Sequence, residues 1–131
     1  MQSEPARVPA SKGMFWTGRV VSALPVLALI ASGVMKLVKP PQVVETFANL
    51  GWDERLALPL AIVELGCTLI YIIPRTAVLG AILLTGYLGG ATATHVRIGD
   101  QFIPPIILGV LVWVGLWLRD ARLRALAPLR A

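Results

Sequence analysis

The chain has 131 residues, 56% of them hydrophobic and only 15% charged, against about 25% charged in a typical soluble domain; mean hydropathy is +0.76. The formal charge is +5, but the basic residues sit between long apolar runs, so composition excludes a disordered chain, a collagen-like chain and a soluble globular domain, and gives no groove or stripe for nucleic acid. A single cysteine excludes an intramolecular disulfide, a CxxC redox pair and a Cys-rich metal site.

Residues 1–13 are polar and Pro-containing and are predicted to form a flexible tail. The first apolar run, 20–35, lies between Arg19 and Lys36. It reads as a membrane span rather than a signal peptide, because no small-residue cleavage site leads from it into a soluble domain. Three further runs follow: 56–73, carrying Glu64 as its one charge, then 77–94 and 103–118, which carry none. With its flanks, each approaches the ~20 residues that cross a hydrocarbon core. Lipid cannot satisfy free backbone groups, so the spans must be helices, and the runs lack the alternation of a membrane strand. The expected fold is therefore all-α, a transmembrane antiparallel four-helix bundle with spans at about 17–38, 54–73, 76–95 and 103–119. These form one membrane domain, 14–122, followed by a basic tail, 123–131.

The connections refine this picture. Pro40-Pro41 at one end and Gly51 at the other predict a short helix between the first two spans. Val43, Val44, Phe47 and Leu50 share one of its faces, which places it in the membrane interface. Asp53 is suited to cap the second span, Pro104-Pro105 to begin the fourth, and Pro74-Arg75-Thr76 to turn the second back on the third. The basic residues set the orientation. Eight of them (Arg7, Lys12, Arg19, Arg75, Arg119, Arg122, Arg124 and Arg130) fall on the side of the two termini, and four (Lys36, Lys39, Arg55 and Arg97) on the other. Both termini are expected in the cytoplasm, with the chain in the cytoplasmic, or inner, membrane.

Glu64 is the foremost candidate for chemistry. It lies in the middle of the second span, where a charge costs about 2.5–3.5 kcal/mol on insertion scales, so it should face the interior and have a partner or a task. Cys67, Thr68 and Tyr71 follow on the same helix face. The carboxyl reads equally as a proton acceptor or ligand contact and as a structural group joining helices. In the third span, Gly86, Gly89 and Gly90 belong to a small-xxx-small pattern, for which close helix packing is the first reading and room for a ligand the second. Tyr87 falls at about the depth of Glu64. Lys36, His95 and Arg97 form a rim at the outer ends of their spans. They read as snorkelling headgroup contacts or as a cationic mouth above Glu64 for an anion, a quinone carbonyl or proton exchange. Ser32, one turn from Lys36, completes a candidate polar network with Glu64. A rise of 1.5 Å per residue leaves the vertical Lys36–Glu64 separation at roughly 6–12 Å. Candidate ligand contacts are thus Lys36, Thr68, Tyr87, His95 and Arg97. One histidine cannot supply bis-His haem, no cluster suits zinc, and neither GxxxxGK nor GxGxxG is present for a nucleotide.

The stretches Ser32-Gly33-Val34-Met35-Lys36-Leu37, Ile73-Pro74-Arg75-Thr76-Ala77-Val78-Leu79-Gly80-Ala81 and Tyr87-Leu88-Gly89-Gly90-Ala91-Thr92-Ala93-Thr94-His95, taken together, resemble the DoxX-like family of small bacterial membrane proteins. The resemblance runs from about residue 17 to 126. It implies a four-helix membrane bundle. Relatives in that family include the membrane subunit of a thiosulfate:quinone oxidoreductase and proteins linked with thiol and oxidative-stress systems. One function implied is therefore a membrane component of a quinone-linked or thiol-linked oxidoreductase, with a redox partner subunit supplying electrons. The alternative is a non-enzymatic assembly partner or a small carrier acting as a homo-oligomer. With the predicted topology, alkaline phosphatase fused at Gly99 should be active and the same reporter fused at Ala131 inactive; an active fusion at Ala131 would refute it.

Overall fold

The computed structural model describes residues 11–126, so the outer parts of both expected tails, with Arg7 and Arg130, lie outside the described residues. Within that range the protein is helical, with no strand. The helices are α1 (Lys12–Val38), α2 (Pro41–Leu50), α3 (Ala57–Ile72), α4 (Ala77–Arg97), α5 (Ile103–Arg119) and α6 (Ala121–Leu126), with single 3-10 turns at Glu54–Leu56 and Pro74–Thr76.

Local chemistry explains where these elements start and stop. α1 begins five residues before the predicted span, because the Ser11 hydroxyl accepts from the Met14 N–H and caps it. It ends where Lys39 turns left-handed at φ 55° and returns its N–H to the Met35 carbonyl. α2 has Pro41 at its first position and Gly51 after its last, in the left-handed conformation at φ 76°, which a residue without a Cβ adopts at low cost. Asp53 caps the Glu54–Leu56 turn rather than α3 itself, through its Oδ1 and the Arg55 N–H. The Arg55 guanidinium beside it holds the Asp53 carboxyl below its ordinary pKa. Residues 121–126, assigned from sequence to the end of the membrane domain and the start of the basic tail, form α6; the Asp120 carboxylate accepts from the N–H groups of Arg122 and Leu123 at its start.

Three helices, Lys12–Val38, Glu54–Ile72 and Pro74–Arg97 (the last two counted with their 3-10 turns), are long and apolar enough to cross a membrane. α5 is equally apolar but has 17 residues. α1 packs on α3 and α5, and α4 packs on the same two helices. The core between them contains Leu29, Tyr71, Ala77, Ala81, Leu84, Leu88, Val112 and Leu116. The outer surface is apolar as well: Val20, Leu27, Ile62, Leu69, Ile82 and Val110 are each more than half exposed. Such an outer surface is unstable in water and suits lipid.

The helices approach most closely at glycines other than those singled out from sequence. A Cβ on Gly80 would fall on the Tyr71 backbone, joining α4 to α3. One on Gly115 would fall on Ser22, and one on Gly18 would stand 2.9 Å from the Gly115 carbonyl, joining α5 to α1. At Gly86, Gly89 and Gly90, by contrast, a Cβ would meet nothing within 4 Å. The close-packing role expected there is therefore corrected: among the described residues no neighbouring atom stands within 4 Å of a Cβ at these positions. Gly80→Leu should cost about 3 kcal/mol or more, the upper end of overpacking penalties, whereas Gly66→Ala, with no neighbour within 4 Å, should be neutral or stabilising by up to about 1 kcal/mol. Thermal unfolding in detergent would compare the two, and equal melting points would contradict the packing.

Candidate functional site

Glu64 is 2% exposed, on the face of α3 that looks inward. Its carboxylate Oε2 lies 2.9 Å from the Lys36 ammonium, which descends from the last turn of α1 and also donates to Ser32 Oγ at 2.8 Å. Lys36 therefore closes the vertical gap by folding its flexible stem back toward Ser32. The distance is that of a charge-assisted hydrogen bond. With Lys36 present, the buried carboxylate is no longer a lone charge, and the pair as a whole is neutral.

The remaining candidates separate into groups. Tyr87 on α4 interacts with Glu64 and is half-buried. Thr68 is 1% exposed and donates to the Glu64 carbonyl at 2.7 Å, so its hydroxyl is engaged with the α3 backbone. His95 Nδ1 lies 2.7 Å from the Ala91 carbonyl. A carbonyl only accepts, so Nδ1 carries the hydrogen and Nε2 is left as an acceptor in the neutral ring. Arg97 is drawn away from the group: its guanidinium donates to the Leu50 carbonyl at the end of α2. In this position it fastens α2 to the end of α4.

Beside Lys36 is a cavity of about 500 Å³. Ser32 and Lys36 of α1, Leu60 of α3, and Gly86, Tyr87, Gly90 and His95 of α4 line it. α2 lies over it with Phe47 and Leu50, which are 4% and 8% exposed, and Trp52 follows from the next turn. Glu64 does not line the cavity; its carboxylate holds Lys36, which does. The site thus combines an apolar chamber, one ammonium, one phenol and one imidazole.

Sequence reasoning missed Trp52 and Thr46 as cavity residues. Thr46 sits on an amphipathic helix whose apolar face was visible, but nothing in the pattern showed that this face covers a hollow. A second polar cluster was also missed. At the other end of the helices the Tyr71 hydroxyl donates to the Val112 carbonyl at 2.7 Å and accepts from Ser22 Oγ at 2.9 Å. Arg119 Nε donates to Ser22 at 3.2 Å, with its guanidinium 5.4 Å from the Tyr71 ring centroid. These residues tie α1, α3 and α5 together. Among the described residues no group of His, Cys, Asp and Glu is arranged to hold a metal ion.

The model of the DoxX-like family matches residues 20–115, which span the ion pair, the cavity and the Ser22, Tyr71 and Val112 members of the second cluster. The chain belongs to this family and is a membrane protein of it. No curated protein and no solved structure matches it.

Lys36→Met leaves Glu64 buried without its cation and should lower stability by about 3 kcal/mol, while Lys36→Met combined with Glu64→Gln should recover most of the loss. Unfolding of the single and double variants in detergent measures the difference; equal stability of the two would mean that the pair carries no coupling.

Proposed function

We propose that this protein is an antiparallel four-span bundle of the cytoplasmic membrane, with α2 in the interface and both termini in the cytoplasm. Its cavity binds the head group of a quinone as the membrane component of an oxidoreductase system. The observation that carries the reading is the Lys36 ammonium in the wall of a mostly apolar chamber. Two of its three N–H bonds go to Ser32 and Glu64, which leaves the third for a ligand acceptor. Glu64 cancels the Lys36 charge, so the site suits a neutral carbonyl better than an anion. Apolar walls with few convergent polar groups are the usual make-up of a small-molecule site.

Reduction of a quinone to a quinol takes two electrons and two protons. The sequence has no redox cofactor motif, so a partner subunit would deliver the electrons. On this reading Lys36 donates to the carbonyl of the oxidised ring, and His95 Nε2 accepts from the hydroxyl of the reduced one. Glu64 is then a positioning residue and proton relay that acts through Lys36. α5, at 17 residues, crosses with its flanks Gln101-Phe102 and Asp120 near the two interfaces.

The test uses Trp52 as reporter, since it lines the cavity and quinones quench indole fluorescence. Decylubiquinone should quench the purified protein saturably, and Trp52→Phe should remove most of the signal. Lys36→Met should weaken binding at least about ten-fold, equivalent to about 1.4 kcal/mol. Non-saturable quenching, unchanged in Lys36→Met, would reject the reading.

A further inference from the structure

Gly86 and Gly90 pose a question that helix packing does not answer. Glycine in the middle of a helix is destabilising, so its presence calls for a physical reason. The usual reason, close approach of another helix, fails here, because a Cβ at either position would meet nothing within 4 Å. Close approach is a real feature of this protein, but at Gly18, Gly33, Gly80 and Gly115. What distinguishes Gly86 and Gly90 is that both line the cavity beside Lys36. Gly89, on the same helix and equally free of neighbours, instead lines a separate groove between α4 and α5.

We propose that Gly86 and Gly90 are specificity-determining residues of the cavity: their missing side chains leave a slot along α4 that admits a flat ring and that any larger residue would close to it. The inference rests on the reading of the cavity as a ligand site and adds the shape of what enters. Two glycines four residues apart bare about 6 Å of helix surface, at 1.5 Å rise per residue, which is about the width of a six-membered ring. Both are exposed, so the slot is also where the cavity meets the surroundings of the protein. Phe47 and Trp52, in the walls of the same cavity, supply aromatic faces suited to stacking against such a ring. The Lys36 ammonium fixes the ring by a carbonyl, and the slot decides whether the ring fits.

Calorimetric titration of the purified protein with two neutral ketones separates shape from polarity: decylubiquinone, which carries a planar ring, and 2-dodecanone, which carries one carbonyl on a narrow flexible chain. Gly86→Val and Gly90→Val should each weaken decylubiquinone at least ten-fold while changing 2-dodecanone less than three-fold. Gly89→Val, which makes the same change on another face of the helix, should leave both affinities within two-fold of the parent. Melting temperatures of all three variants should stay at or above that of the parent, because no neighbour is displaced. The assignment is overturned if Gly89→Val weakens the ring compound as much as the other two. It is overturned equally if Gly86→Val and Gly90→Val leave the ring compound unaffected while Lys36→Met abolishes its binding; in that case the ligand site stands and the glycines do not shape it. A parent protein that binds neither ketone overturns both the assignment and the reading beneath it.

Discussion

A carboxylate that cannot be left alone in hydrocarbon constrains this protein more than any other single group. Glu64 is 2% exposed, on a helix long and apolar enough to cross a membrane, where an unpaired charge is costly. The chain solves this with a lysine twenty-eight positions away, on a different helix. That requirement fixes several things together. α1 must end close enough for Lys36 to reach down, α3 must turn Glu64 toward α1, and Ser32 must offer a second acceptor so that the ammonium is held in one place. After the left-handed turn at Lys39 the chain continues as α2, which lines the cavity that Lys36 borders. A polar pair placed to neutralise a charge thus also decides where a chamber can exist and what covers it.

The two ends of the helix assembly are built on different principles. Around Tyr71, small residues let α1, α3, α4 and α5 come together until backbone meets backbone, and the hydroxyl and guanidinium groups there are spent on one another and on a carbonyl. Around Lys36, Gly33 still packs on Leu65, but α4 does the opposite and turns Gly86 and Gly90 toward open space. The same amino acid closes one part of α4, at Gly80, and opens another, at Gly86 and Gly90. The difference lies in whether a partner helix stands opposite, which depends on tertiary arrangement rather than on spacing within a helix.

This contrast also explains how far the sequence could be read. Helices follow from apolar runs in a medium without water, and α2 follows from Pro41 and Gly51, so these elements were legible within a few residues. Glu64, Lys36 and Ser32 were legible as a candidate network because charge is rare enough in an apolar chain to draw notice. The Gly86, Gly89 and Gly90 pattern invited the wrong reading, since small-xxx-small spacing records permission for close approach and not its occurrence. The Arg97 position was equally open from sequence: a long cationic side chain at a helix end reaches for whichever carbonyl or carboxylate folding brings near, and folding brought the end of α2. Trp52 carried no local signal, because its place in the cavity wall depends on how the chain leaves α2 after Gly51.

The Ser22–Tyr71–Arg119 cluster has a consequence for traffic. It lies in the same core as tightly packed Leu84, Val112 and Leu116, each at most 1% exposed, none of which lines the hollow beside Lys36. On the proposed reading, a guest in the hollow has packed side chains rather than a second mouth on its inner side, and leaves by the way it came. Such a cul-de-sac is poorly suited to moving cargo from one face of a membrane to the other. It is well suited to holding a guest still while something small, a proton or an electron, goes further than the guest can.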